Sequence, residues 1–127
     1  MSRFAVTGLD HIVLCVGDVA ATRDFYERVL GMEPREERPG KWSLHFGEHK
    51  ISLQDAAAAP AIARDTLPGS GNFCVISDEP VAEWRGHLER EGVDVIDSGQ
   101  RFGAVGTIDS LYFKDPDGNL VEVSNRL

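Results

Sequence analysis

Residues 9–55 and 72–124 repeat one plan, and that repetition limits the folds open to this chain more than any single motif does. The first half runs Asp10-His11-Ile12-Val13-Leu14, a helical stretch, then Leu44-His45-Phe46 and Ile51-Ser52-Leu53-Gln54. The second runs Gly71-Asn72-Phe73-Cys74-Val75, a helical stretch, then Leu111-Tyr112-Phe113 and Leu120-Val121-Glu122-Val123. Superposed, the halves match His11 with Asn72, Gln54 with Glu122 and His45 with Tyr112. A duplicated module lines a cleft twice with one geometry, so matched polar positions on opposite walls can converge on one point.

Size and charge then narrow the function classes. A chain of 127 residues suits a single domain, residues 1–127, with a real hydrophobic core. No apolar run approaches the roughly 20 residues needed to span a bilayer. Residues 1–8 lack the apolar core and cleavage site of a secretory signal, so a cytoplasmic protein with no membrane partner is expected. A formal charge of −8 and a pI near 4.9 argue against nucleic acid, which needs clustered Lys and Arg. The basic residues are interspersed with acids, as in Arg35-Glu36-Glu37-Arg38, and read as solvated surface. Cys15 and Cys74 fall inside apolar strand patterns without CxxC spacing, which predicts buried free thiols rather than a disulfide or a zinc site.

Each half reads as one strand, one helix and three strands. Leu9 to Val16 is a buried strand; Asp18 is placed to cap a helix from Val19 to about Leu30, and Gly31 sits where a left-handed cap belongs. Glu33 to Glu37, Trp42 to Phe46 and Lys50 to Gln54 follow as a meander, broken at Pro39-Gly40 and Gly47-Glu48. Residues 56–71 are the linker, small and turn-forming, with room for an Ala-rich helix that Pro60 shortens. The second half predicts a strand from Asn72 to Ser77, a helix from Val81 to about Glu91 closed by Gly92, and a strand from Val93 to Ile96. Gly99 to Gly106, with Arg101 and Phe102, reads as a flexible loop able to close over a cleft. Strands from Thr107 to Lys114 and Leu120 to Ser124 flank the turn Asp115-Pro116-Asp117-Gly118-Asn119. The expected architecture is α+β: two βαβββ modules forming a split, cleft-enclosing β-barrel.

Three segments carry a resemblance to a known family. Leu9-Asp10-His11-Ile12-Val13-Leu14, Phe25-Tyr26-Glu27-Arg28-Val29-Leu30-Gly31-Met32, and residues 112–123 from Tyr112 through Asp115-Pro116-Asp117-Gly118-Asn119 to Val123 resemble the vicinal oxygen chelate superfamily. That superfamily spans glyoxalase I, extradiol dioxygenases, fosfomycin-resistance transferases and bleomycin-binding proteins, so the resemblance fixes the fold far better than the reaction. The chain is most similar to a subgroup of short glyoxalase-domain, dioxygenase-related proteins whose middle strand ends Lys-Ile-Asn-Leu-His. Here that strand is Lys50-Ile51-Ser52-Leu53-Gln54, so Gln54 stands where the subgroup has its second histidine ligand.

The resemblance implies a divalent metal (Fe²⁺, Mn²⁺, Ni²⁺ or Zn²⁺) held by His11, Gln54 and Glu122. On periodicity alone His11 reads as a core histidine with hydrogen-bonded nitrogens. Glu122 lies between Val121 and Val123, and a carboxylate there is costly unless paired or metal-bound. Glu122 and Tyr112 are the catalytic candidates, Glu122 also as a ligand released to act as base. Asn72, His45, Arg101 and Phe102 are expected to line the cleft, with Trp42, Phe102 and Tyr112 as stacking surfaces. His49 and His87 read as surface histidines. With Gln54 in place of a glutamate, and no basic cluster for glutathione, a standard lactoylglutathione lyase is disfavoured. Two readings stay open: a metal-dependent enzyme, dioxygenase-related or lyase-like, on a small substrate with adjacent oxygens, and a metal-free drug- or metabolite-binding protein. A homodimer is implied by analogy, with module pairing within or between chains left open.

Overall fold

The computed structural model describes residues 3–58 and 63–127. The start of the chain (residues 1–2) and the short alanine-rich helix considered around Pro60 (residues 59–62) lie outside the described residues. The elements run β1 (His11–Val16), α1 (Val19–Leu30), β2 (Glu33–Arg38), β3 (Lys41–Phe46), β4 (His49–Asp55), β5 (Asn72–Ile76), α2 (Val81–Arg90), β6 (Asp97–Gly103), β7 (Gly106–Lys114) and β8 (Leu120–Arg126). They form two four-stranded sheets, ordered β1-β4-β3-β2 and β5-β8-β7-β6. In each, the first strand runs parallel to the last and the rest form a meander. This is the α+β architecture of two βαβββ modules that the repeat predicts.

Period-2 alternation divides each sheet into two faces. Leu14, Val16, Leu44, Ile51 and Leu53 of the first sheet and Leu111, Phe113, Val121 and Val123 of the second join α1 and α2 in one core. The opposite, inner faces carry the polar residues of interest. The helices start and stop as their caps dictate: Asp18 accepts from the Ala21 backbone, and Gly31 takes φ 67°. At α2, Pro80 precedes the first residue and the Asn125 side chain accepts from the Val81 N–H at 2.8 Å. The two helices touch, through Arg28 to Glu91 at 2.8 Å and the His87 ring to the Val29 carbonyl at 2.8 Å. His87 is therefore half-buried between helices and not on a helix exterior.

Two sequence expectations fail in the second module. Val93 to Ile96 is not a strand: the Val93 N–H is engaged by the Leu88 carbonyl at the end of α2, and sheet pairing begins at Asp97. Gly99 to Gly106 is not a loop but most of β6 with the tight turn into β7. An edge strand facing solvent has no apolar face to advertise, so its glycines read as breakers. Among the described residues the strands hydrogen-bond into two separate sheets, so a single chain closes no barrel. Val13 and Ile76, both on inner faces, stay 51% and 44% exposed. No helix among the described residues is long and apolar enough to cross a membrane.

The turn from Asp115 to Asn119 clasps the two modules. Asp115 is buried and accepts from the Tyr26 hydroxyl at 2.7 Å, from the backbone of Asp117 and Asn119, and from the Asn119 amide. Asp117 receives the Gly17 N–H at 3.1 Å, and Asn119 receives the Gly71 N–H at 2.7 Å. Burial, then the Asp115 carboxylate, hold the Tyr26 phenol far above its ordinary value of 10.0. The native phenol thus stays protonated at a pH where the unfolded one ionises. Stability is fully present below about pH 10 and falls as pH rises above it. Urea midpoints measured between about pH 9 and 11 are expected to decline in the wild type, with a shallower decline in Tyr26→Phe.

Candidate functional site

Strand register sets which inner-face residues are neighbours. On the second sheet Cys74 pairs with Glu122, Glu122 with Tyr112, and Tyr112 with Asp97, forming one row. The next row holds Ile76, Ser124, Ser110 and Gly99, and beyond it lie Arg126, Ile108 and Arg101. Ser110 and Ser124 are fully buried, and their hydroxyls meet at 2.7 Å. The Ser110 hydroxyl donates to Glu122 Oε2 at 2.6 Å, and the Ser124 oxygen lies 3.2 Å from Cys74 Sγ. Each hydroxyl has a single proton, so one consistent arrangement runs from the thiol through Ser124 and Ser110 to the carboxylate. Burial raises the Cys74 thiol above its usual value, in keeping with a donor at the head of that chain. Burial, then the adjacent Glu122 carboxylate, raise the Tyr112 phenol, and Arg101 lies over its ring at 5.2 Å. Cys15 is buried as expected, whereas Cys74 is exposed on the inner face.

The first sheet carries a second cluster. His11, Lys50, His45 and Glu33 share a row, and a register shift between Glu36 and Arg38 projects Glu37 inward. Glu37 accepts from the Ser43 hydroxyl, from Lys50 Nζ at 2.9 Å, and from the His45 ring at 3.3 Å. Those donors, Ser43 first and then Lys50, pull the Glu37 carboxyl down to about 2. Arg35 donates to His45 Nδ1 at 3.4 Å, which places the ring proton on Nε2, toward Ser43 and Glu37. Arg35 and Glu37 are thus part of a specific network and not merely solvated surface.

His11 is 43% exposed, with Nδ1 bonded to Asp10 at 2.8 Å and no partner for Nε2 among the described residues. Gln54 is half-buried and pairs with Cys15, four residues along β4 from Lys50, the partner of His11. That separates the His11 and Gln54 backbones by about 13 Å along the strand. Asn72 is exposed and pairs with Leu120, two residues from Glu122. The sequence superposition that matched His11 to Asn72 and Gln54 to Glu122 therefore mixes two registers, which differ by an even step and keep the face correct. No contact joins His11 to Glu122, and no three His, Cys, Asp or Glu side chains converge on a cation position among the described residues.

The cleft lining divides in the same way. Glu122, Tyr112 and Arg101 meet around one depression, His45 belongs to the other sheet, and Phe102 stands fully exposed at the depression's rim. Trp42 faces the helices, with the Arg23 guanidinium 3.8 Å over its ring, so it is no cleft surface. His49 is exposed. Sequence reasoning passed over Glu37, Ser43, Lys50, Ser110, Ser124 and Cys74. Their alternation with core residues was the available signal for all but Glu37, whose inward turn depends on the bulge.

Comparison with known proteins agrees with the fold. Residues 8–123 match the family model for the Glyoxalase/Bleomycin resistance protein/Dioxygenase superfamily. The virulence protein STM3117 of Salmonella typhimurium is 38% identical over 125 residues, covering 96% of this chain and 86% of its own. The glyoxalase domain-containing protein RDO1 of Mycosarcoma maydis is also 38% identical over 125 residues, covering 97% of this chain and 70% of its own. The solved structure of an integron cassette protein from the mobile metagenome of V. cholerae superposes with a TM-score of 0.94 at 38% identity, over 99% of this chain and 100% of that one. The chain belongs to the glyoxalase/bleomycin resistance protein/dioxygenase superfamily.

Proposed function

We propose that this chain is a divalent-metal-dependent enzyme for a small molecule with two adjacent oxygens, its site completed when the first sheet of one copy faces the second sheet of another. The observation that carries the reading is how His11 and Glu122 are held. Asp10 engages Nδ1 of His11, which fixes the ring and presents Nε2 to the open inner face. Ser110 donates to Oε2 of Glu122 and Ser124 supports Ser110, so Oε1 is the oxygen without a serine donor. Histidine and carboxylate ligands in metal sites are oriented by hydrogen bonds of this kind, so the donors fit a divalent cation. Both inner faces are open with Val13 and Ile76 half exposed, which suits two half-sites awaiting a partner sheet.

His11 and Glu122 would hold the cation, joined by whichever amide the paired sheets bring near, Gln54 or Asn72. A bound divalent ion supplies Lewis acidity to the two substrate oxygens. The chain's own residues do the rest. Tyr112, protonated across neutral pH, donates a hydrogen bond beside Glu122. Glu122 is the acceptor for a proton leaving the substrate. The rival reading, a metal-free binding protein, draws on the neutral amides at Gln54 and Asn72.

Protein purified without chelator is expected to carry close to one Fe, Mn, Ni or Zn ion per chain by elemental analysis. It is expected to sediment as a dimer and to gain several degrees of thermal stability with added metal, since a ligand at about 100 times its dissociation constant contributes roughly 2.7 kcal/mol. Substoichiometric metal with an unmoved melting curve would sink the enzyme reading and favour the binding protein.

A further inference from the structure

The depression beside Glu122, about 510 Å³, has opposite chemistry at its two ends. Glu122 and Tyr112 form one row, and Arg126 and Arg101 stand in another, both paired to Ile108. Four residues of β8 separate Glu122 from Arg126, which is about 13 Å along the strand. The row between is undemanding. Ser110 and Ser124 satisfy each other and Glu122, Ile76 offers an apolar surface, and Gly99 has no side chain. A Cβ at Gly99 would lie 2.7 Å from Arg101 Nη1, so that bare position is what lets Arg101 lean across the row. There Arg101 reaches Asp97 at 3.2 Å and the Tyr112 ring at 5.2 Å. Arg126 lines the depression and has no ion-pair partner among the described residues.

The charge count then selects a ligand. Asp97 balances Arg101, which leaves about one net positive charge at this end, enough for a monoanion. The protein as a whole carries −8, so the attraction is local to the depression. Ile76 of the middle row and Ile108 of the arginine row give the depression its apolar lining between Glu122 and Arg126. We propose that the depression takes a small aromatic carboxylate, its acid group received by Arg126 with Arg101 and its ring over Ile76 and Ile108. This deepens the proposed function, since the end of the ligand away from the acid meets Glu122, and it rests on that reading for any chemistry there.

Saturation-transfer NMR titrations of the full chain with benzoate, benzamide and acetate test it. Benzoate is expected to bind at least about tenfold more tightly than either control, because benzamide lacks the charge and acetate lacks the ring. Arg126→Met is expected to weaken benzoate about tenfold or more while benzamide and the metal content stay unchanged. Equal binding of benzoate and benzamide, or an Arg126→Met variant that binds benzoate as the wild type does, overturns the proposal. Benzoate selectivity in a protein that takes up no metal upholds it and removes the enzyme reading. Metal uptake without selectivity does the reverse.

Discussion

Asp115→Ala lowers the melting temperature by about 10–20 °C, the largest loss of stability expected from a single inner polar residue here. The side chain is buried and receives four donors: the Tyr26 hydroxyl, the Asp117 and Asn119 backbone N–H groups and the Asn119 amide. Alanine leaves those donors without an acceptor in a space too confined for each to find water. Orphaning a buried donor costs roughly 1–3 kcal/mol, and partial relaxation holds the total to about 3–5 kcal/mol. Tyr26→Phe removes one of the four donors, orphans none of the others and costs only about 1.5–3 kcal/mol. Differential scanning calorimetry of the two variants distinguishes them. Equal losses would mean that the carboxylate holds nothing beyond the tyrosine, and that the turn forms by Pro116 and Gly118 alone.

The second large effect is one of complementation. His11→Ala and Glu122→Ala are each expected to bind no metal as purified, because each removes one anchored donor from every site. If the site joins the first sheet of one copy to the second sheet of another, an equal mixture behaves differently. Mixed dimers then carry one site with both donors and one with neither. After subunit exchange about half the dimers are mixed, so metal binding returns to about a quarter of the wild-type amount. A site built within one chain recovers nothing on mixing. Elemental analysis before and after brief mild denaturation and refolding of the mixture reads the outcome directly, and zero recovery from a dimeric protein excludes the shared site.

Much of the fold was legible because it is written in alternation and caps. Asp18, Gly31 and the run from Asp115 to Asn119 are local devices whose geometry follows from residue type. The two four-stranded sheets follow from repeating them. β6 was not legible, since Gly99, Arg101 and Gly103 on an exposed edge mimic a loop. The site was legible only in part. Glu122 announces itself as a carboxylate inside an apolar strand, but its serine support is set by the register between β7 and β8, which no local pattern reveals. Register is also why His11 and Gln54 looked like partners: the eye aligns motifs, whereas hydrogen bonds align Lys50 with His11. Glu37 needed a bulge, and His87 needed a neighbouring helix.

Residues 115–125 reach back to complete three earlier parts of the fold. Asp117 takes the Gly17 N–H, Asn119 takes the Gly71 N–H, and Asn125 caps the start of α2. During synthesis a chain emerges from its beginning, and early segments ordinarily fold first. In this protein the opening module is made with its first loop and its central tyrosine still waiting for acceptors 100 and 89 residues further along the chain. Its closure therefore waits on synthesis of the second module, and a chain that lacks residues 115–119 loses the closure of its beginning.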